Sequence, residues 1–396
     1  MQLPAIEGGN PVRSTALPFS PPDINRKEID AVTQVLRSKW ITRGTVCEQF
    51  EKELAAYTGA NYCFVLSSAT AGLFLSLKIR GVGAGDEVVT TPYTFAATAN
   101  AVIHTGATPV FADVEPDNFQ ISPEEIERKI TKRTKAIIPV HFGGHPVELG
   151  AIKKIAKKHD LVVIEDAAHA IGAEYGGRKI GNSGSTCVFS FHAVKNVTTA
   201  EGGAVTTEDA KVVDGLKLYS LHGQTRDAFS KLKAGGWMYD IAVPGYKFNL
   251  TDIQAAIGLE QLKRVEKNQK KRESIAVQYE NFLGAFDFVR TPKVKQGHRS
   301  SWHLYPILID FSRLKVDRDR FIEVLTAENI SANVHYIPVH MMSYYRDTFG
   351  YKPEDFPVAC SLYRREISLP IYPQMTEHDI NDVGEALLRI LYYYTK

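Results

Sequence analysis

Between residues 62 and 166 the sequence alternates between two kinds of segment, and few folds accept that rhythm. Short, β-branched, apolar runs at residues 62–67, 87–91, 109–114, 136–142 and 162–166 are separated by helical patterns at 71–80, 94–105, 123–130 and 148–159. Strands that are apolar on both faces belong in a mostly parallel sheet with helices on both sides. Repeated strand and helix units with short connections give a doubly wound α/β layer. Two more β-rich runs, one starting at Cys187 and one at 204–207, complete it.

The flanks follow other patterns. Residues 1–25 are rich in proline and glycine and read as an extended arm. A helix is expected over 25–38, with Ile29, Val32 and Leu36 at helical spacing, then a loop at 40–44 and a helix over 46–58 ended by Gly59. Thr251 reads as the N-cap of one long helix reaching Phe282, with Asp252 in its first turn. The charged run K-N-Q-K-K-R-E in its second half reads as a solvated face. Residues 224–238 break the pattern and are expected to form a mobile loop near the site. From Phe286 onward the style is α+β, with strands at 304–309 and 333–336 and helices at 318–328 and 377–394. The expected division is therefore a large unit, 1–285, and a smaller C-terminal α+β unit, 286–396.

Composition excludes several classes. The chain has 396 residues with 44% hydrophobic and 23% charged residues, which is globular, and a net charge of +2 leaves no footprint for nucleic acid. No apolar run is long enough to span a bilayer, and the first residues lack the basic and apolar segments of a secretory leader. Cys47, Cys63, Cys187 and Cys360 are isolated, with no C-x-x-C spacing and no histidine cluster. We therefore expect a cytoplasmic protein with reduced thiols and no metal.

Four features carry chemistry. In C-V-F-S-F-H-A-V-K-N from Cys187, Ser190 and His192 alternate in an apolar run, and Lys195 sits where the strand pattern fails. A desolvated lysine amine can form a Schiff base with an aldehyde such as that of pyridoxal phosphate; the other reading is a lysine that snorkels to water. At 67–72, S-S-A-T-A-G joins a strand to a helix through small and hydroxyl residues, which suits a phosphate at the helix N-terminus or a simple helix cap. In I-E-D-A-A-H at 164–169, Asp166 ends an apolar strand and could meet a protonated pyridine nitrogen or cap a helix, and His169 could equally be a core histidine. Phe95, just past a strand end, could stack on a flat ring or pack in the core. Phosphate cradle, aromatic, aspartate and lysine occur in one sheet in the order that a pyridoxal-phosphate site requires.

These motifs resemble the DegT/DnrJ/StrS family of sugar-nucleotide aminotransferases over essentially the whole chain. The matching segments are 67–72, I-P-V-H at 138–141, 164–170, F-S-F-H-A-V-K-N at 189–196, E-G-G at 201–203 and G-Y-K-F-N-L-T-D at 245–252. The nearest likeness is to enzymes that aminate C4 of UDP-linked keto sugars. The resemblance implies the pyridoxal-phosphate-dependent transferase fold of type I. It implies that Lys195 binds the cofactor aldehyde, Asp166 pairs with the pyridine nitrogen, His169 lies near the ring hydroxyl where relatives often have glutamine, and Phe95 stacks on the ring. Ala69, Thr70 and Ser190 would hold the phosphate. Asn249 would reach into the site of the other subunit of a homodimer with shared active sites. Arg299 is expected to meet the substrate diphosphate. Thr42, His192, His335, Tyr336 and His340 are expected to line the sugar pocket.

The expected reaction is a ping-pong transamination from L-glutamate to a nucleotide-linked keto-deoxy sugar, with Lys195 first as nucleophile and then as general base. A dehydratase of the same family is disfavoured, because those enzymes carry histidine in place of the lysine. A desulfurase or lyase of the same fold would need a different substrate pocket. A non-enzymatic pyridoxal regulator would need a DNA-binding extension, and none precedes Asn25.

Overall fold

The computed structural model describes residues 2–225 and 237–396. Most of the expected loop at 224–238 lies outside the described residues; its flanks pair, with Thr225 N–H donating to Asp240 O. The chain starts with α1 (Arg26–Ser38), where Asn25 accepts from Lys27 N–H and Glu28 accepts from Asn25 N–H, and α2 (Thr45–Thr58), which Gly59 ends in the left-handed region at φ 80°.

The central sheet then builds up from β1 (Tyr62–Leu66), α3 (Ala69–Ile79), β2 (Glu87–Thr90), α4 (Ala96–His104), β3 (Thr108–Phe111), α5 (Pro123–Lys129), β4 (Thr134–Ile138), α6 (Leu149–His159) and β5 (Val162–Asp166). After the short β6 (Glu174–Tyr175) and β7 (Arg178–Lys179) come β8 (Thr186–Ser190), β9 (Gly203–Thr207) and α7 (Ala210–Tyr219). The seven strands lie in the order β1-β9-β8-β5-β4-β2-β3, and only β9 runs against its neighbours.

Side-chain alternation explains the two helical layers. Val65, Val89, Ile137, Cys187 and Phe189 point to one face and pack with Phe50 of α2 and Ile152 of α6. Their neighbours Phe64, Val88, Ile138, Ile164 and Val188 point to the other and pack with Leu73 of α3, Val102 of α4 and Leu216 of α7.

One long helix was expected after Thr251; the structure has two, α8 (Asp252–Leu262) and α9 (Val265–Leu283). The break carries no glycine or proline. It falls at Arg264, whose guanidinium bonds Asp23 O and the buried Glu28 in the first turn of α1. A second small sheet, β10 (Val289–Arg290), β12 (Tyr305–Ile309) and β13 (Glu366–Leu369), packs with α10 (Arg318–Ala327), α11 (Ser343–Phe349), α12 (Pro357–Arg365) and α13 (Glu377–Tyr394). The two-residue β11 (His298–Arg299) pairs with β6.

The strand expected at 333–336 is a single bridge from Asn333 to Ser368, because the next N–H to face the sheet, that of His335, donates to the Glu366 carboxylate instead of a carbonyl. Two of the three apolar residues at helical spacing in α1 face outward: Ile29 is 54% and Leu36 53% exposed, while Glu28 and Val35 are buried. Among the described residues, no helix is long and apolar enough to cross a membrane.

Candidate active site

The carboxyl ends of β1, β5 and β8 open into a cavity of about 400 Å³, at the place where an open parallel sheet gathers ligands. Each wall follows from the register. Asp166 pairs with Val188, so Asp166 and Ser190 point to the same face, toward α3 and α4. Ser190 in turn pairs with Gly203. A side chain at Gly203 has no room unless α3 shifts: its Cβ would lie 2.4 Å from Ala69 N. That close approach seats the start of α3 on the sheet. Ser68 caps it by accepting from Ala71 N–H. Ala69 and Thr70 head the helix and line the cavity, and their N–H groups have no acceptor within the helix.

Asp166 is 5% exposed. Its Oδ2 accepts from Thr98 Oγ1 at 2.7 Å and its Oδ1 from Ala168 N–H at 3.1 Å. Burial nevertheless raises its pKa above the ordinary carboxylate value, against the lowering by Thr98, Ala168 and Lys195. Desolvation therefore outweighs two hydrogen bonds, and the site is short of positive charge beside this carboxylate. A protonated ring nitrogen would supply it, so the residues present fit pyridoxal phosphate.

Lys195 lies in the turn between β8 and β9, with its N–H donating to His192 O. Burial brings its pKa down to about 8, with Asp166 opposing. His169 is pinned from both sides. Gly143 N–H donates to its Nδ1 at 3.2 Å, which leaves the proton on Nε2, 3.3 Å from Tyr336 Oη. Burial, with help from Lys195, pushes His169 well below the usual imidazole pKa, so the ring is neutral. Phe95 is 60% exposed at the mouth, its ring centre 5.9 Å from that of Tyr336.

With this geometry in place, comparison with known proteins is decisive. The DegT/DnrJ/EryC1/StrS aminotransferase family matches residues 22–388. The chain belongs to that family. It is 46% identical over 381 residues to the spore coat polysaccharide biosynthesis protein SpsC of Bacillus subtilis, covering 96% of this chain and 98% of that one. The putative sugar aminotransferase Spr1654 of Streptococcus pneumoniae, in its PMP form, superposes with a TM-score of 0.90 at 35% identity, over 95% of this chain and 99% of the other. PseC of Helicobacter pylori, described as an aminotransferase involved in the biosynthesis of pseudoaminic acid, gives 0.89 at 34% identity over 96% and 100%.

In this aminotransferase the structure brings together Ala69, Thr70, Phe95, Asp166, His169, Ser190, His192, Lys195 and Tyr336 around the one cavity. His192 follows the strand instead of alternating on it, since β8 ends at Ser190; its Nε2 lies 3.7 Å from Glu201 Oε1. His335 stands beside Tyr336, stacked on Phe19 of the arm with ring centres 5.4 Å apart.

Besides His335, three expected substrate contacts do not line this chain's cavity. Arg299 is held by Glu273 at 2.6 Å and Glu266 at 3.0 Å on the β6–β11 ribbon, so its charge is already matched. His340 is fully buried against Phe356 and Cys360. Thr42 sits in an exposed loop where its carbonyl accepts from Asp252 N–H. Asn249, expected to serve another subunit, also lies off the cavity, with its Oδ1 2.6 Å from Lys247 Nζ.

The sequence reading missed two neighbours. Thr98 shares a hydrogen bond of 2.8 Å with Thr94, four residues earlier and just ahead of α4, and that spacing was the available signal for Thr98. His303, 4.3 Å from His169 between ring centres and bonded to Asn196, is delivered by a distant loop and left no local trace.

Proposed function

We propose that the enzyme moves an amino group from L-glutamate to the keto carbon, C4, of a nucleotide-linked keto-deoxy sugar, with UDP as the nucleotide. The observation that carries this reading is one cavity joining a half-buried lysine, a buried carboxylate short of a cation, and free N–H groups at a helix N-terminus. Bound pyridoxal phosphate supplies an aldehyde to carry the amino group and a ring to hold an electron pair. Asp166 holds the proton on the ring nitrogen. Ala69 N–H, Thr70 and Ser190 bind the phosphate, and Phe95 and His169 fix the plane of the ring. Lys195 Nζ would take the proton from the α-carbon of the donor and deliver it to the former aldehyde carbon, on the other side of the nitrogen being transferred. Lysine at this position, where family dehydratases carry histidine, favours amino transfer.

Support for a sugar acceptor comes from SpsC and PseC, whose names place them in polysaccharide and pseudoaminic acid synthesis. The choice of C4 and UDP rests on the likeness of segments 189–196 and 245–252. His192, His335 and Tyr336 face the sugar in this reading, and Asn249 completes the site of a second copy of the chain. A homodimer is further supported by an apolar groove lined by Ile24, Ile29, Val32, Ala193, Ala200 and Ile257, which adjoins the loop carrying Lys195. We place the enzyme in the cytoplasm, in keeping with its free cysteines.

The holoprotein is expected to be yellow, and L-glutamate to convert its spectrum to the pyridoxamine form. Lys195→Ala should slow that conversion by about 10²–10⁴-fold. A variant that still turned over at the parent rate would sink the assignment. Screening UDP- and dTDP-linked 4-keto sugars as acceptors identifies the second substrate, and reaction with none of them would refute the sugar reading.

A further inference from the structure

Beside the cavity, His335 is backed by two polar groups that the steps above leave unused. Glu366 and Ser368 on β13 are both fully buried. Ser368 Oγ lies 2.5 Å from Glu366 Oε1 and 2.9 Å from Nδ1 of His335, while His335 N–H donates to Glu366 Oε2 at 2.9 Å. Among the described residues, Nε2 of His335 has no hydrogen-bond partner.

The hydroxyl of Ser368 has a single proton, so it can donate in one direction only. When Glu366 is ionised, Oε1 can only accept; the hydroxyl donates to it and accepts from Nδ1–H of His335. Nε2 then carries a lone pair. When Glu366 is protonated, Oε1–H donates to the hydroxyl, and the hydroxyl donates to Nδ1. The ring proton then sits on Nε2.

We propose that Glu366 and Ser368 are positioning residues that set which nitrogen of His335 bears its proton, turning Nε2 from hydrogen-bond donor to acceptor as Glu366 ionises. As a donor, Nε2 suits a carboxylate or keto oxygen; as an acceptor, it suits a sugar hydroxyl. What His335 meets rests on the transaminase reading; the relay itself does not.

The surroundings allow both states near physiological pH. Burial raises Glu366 to about 8, against the lowering by Ser368, the His335 N–H and the Arg318 guanidinium of α10. Arg318 is occupied by Tyr363 O and Asp319. The phenols of Tyr93 and Tyr336, which also face Glu366, are raised by burial and stay neutral. His335 is brought down to about 4 by burial and by Lys195, the cation that faces it, so its ring is neutral and has only two tautomers to choose between. The adjoining His169 and His303 are likewise held neutral by burial.

The test is ring-¹⁵N histidine spectroscopy of the holoenzyme from about pH 6.5 to about pH 9.5, with His335 assigned by its loss in His335→Gln. The expected result is passage from the Nε2–H to the Nδ1–H tautomer with a midpoint near the Glu366 value of about 8. In Glu366→Gln the amide donates to Ser368 at every pH, so Nε2–H should persist throughout. Ser368→Ala should remove the pH dependence. A single tautomer across the range in the parent, or an unchanged transition in either variant that folds, overturns the relay. If the transition is present but L-glutamate leaves the spectrum of the cofactor unaltered, the relay stands and the proposed function fails.

Discussion

Asp166 is buried and Lys195 half-buried, desolvation shifts each toward its neutral form, and each is useful for that reason. Burial raises the carboxyl pKa despite two hydrogen bonds, so a cation placed beside Asp166 favours its anionic form. Asp166→Asn keeps the shape, the bond from Ala168 N–H and, with donor and acceptor reversed, the contact with Thr98, but cannot hold a ring proton; we expect glutamate conversion to fall by about 10²-fold or more, measured by stopped-flow absorbance, with the cofactor still bound.

For Lys195 the neutral amine is the reactive form. With its pKa lowered to about 8, the rate at which apoprotein takes up pyridoxal phosphate should rise by roughly tenfold per pH unit below that value and level off above it. An unburied lysine would keep climbing to far higher pH.

These residues were legible in the sequence because a strand end is a readable place: Asp166 closes an apolar run and Lys195 interrupts one. Thr98, His303 and Glu366 were not. They come from separate segments, and only packing shows that they meet. Arg299, expected to meet the substrate diphosphate, is paired in this chain with Glu266 and Glu273, which the sequence did not show.

Among the elements, α2 owes its start to another helix. Asp252, buried at the head of α8, accepts from Gly44 N–H at 2.8 Å, Cys47 N–H at 3.0 Å and Val46 N–H at 3.3 Å. The sequence suggested only a favourable first-turn charge for Asp252. Replacing it with alanine should cost about 2–4 kcal/mol, because buried N–H groups lose their acceptor; the shift in denaturant midpoint measures this.

Gly203 is constrained by space, not by backbone angle. Its extra methyl would meet Ala69 N, so Gly203→Ala should push α3 off the sheet and weaken cofactor affinity, as fluorescence titration would show, while costing about 1–3 kcal/mol of stability. The strands and helices of the sheet were readable because their burial repeats with a fixed period. The break between α8 and α9 was not, since it depends on Arg264 meeting Glu28, more than two hundred residues away.

At the scale of the whole molecule, we propose that residues 286–396 form the smaller unit, with the arm attached to it. Ala5 N–H and Val12 N–H donate to the buried Glu328, Arg389 donates to Asn10 O, and Leu17 bridges Ile330. Composition and spacing had assigned the arm to the large unit, because contacts this distant leave no local mark.

The outward stripe of α1 belongs to the same scale. We expect sedimentation to give a dimer, and Ile29→Glu together with Leu36→Glu to shift it toward monomer with loss of activity. Full activity in a 44.0 kDa monomer would rule out shared sites. The most direct measurement is a single turnover with ¹⁵N-labelled L-glutamate. Holoenzyme is mixed with the labelled donor, freed of it by rapid filtration, and then given a UDP-linked 4-keto sugar. We expect the label in the amino sugar in about one equivalent per site, with the yellow colour restored. Recovery of unlabelled or deoxygenated sugar, with no nitrogen transferred, would contradict amino transfer.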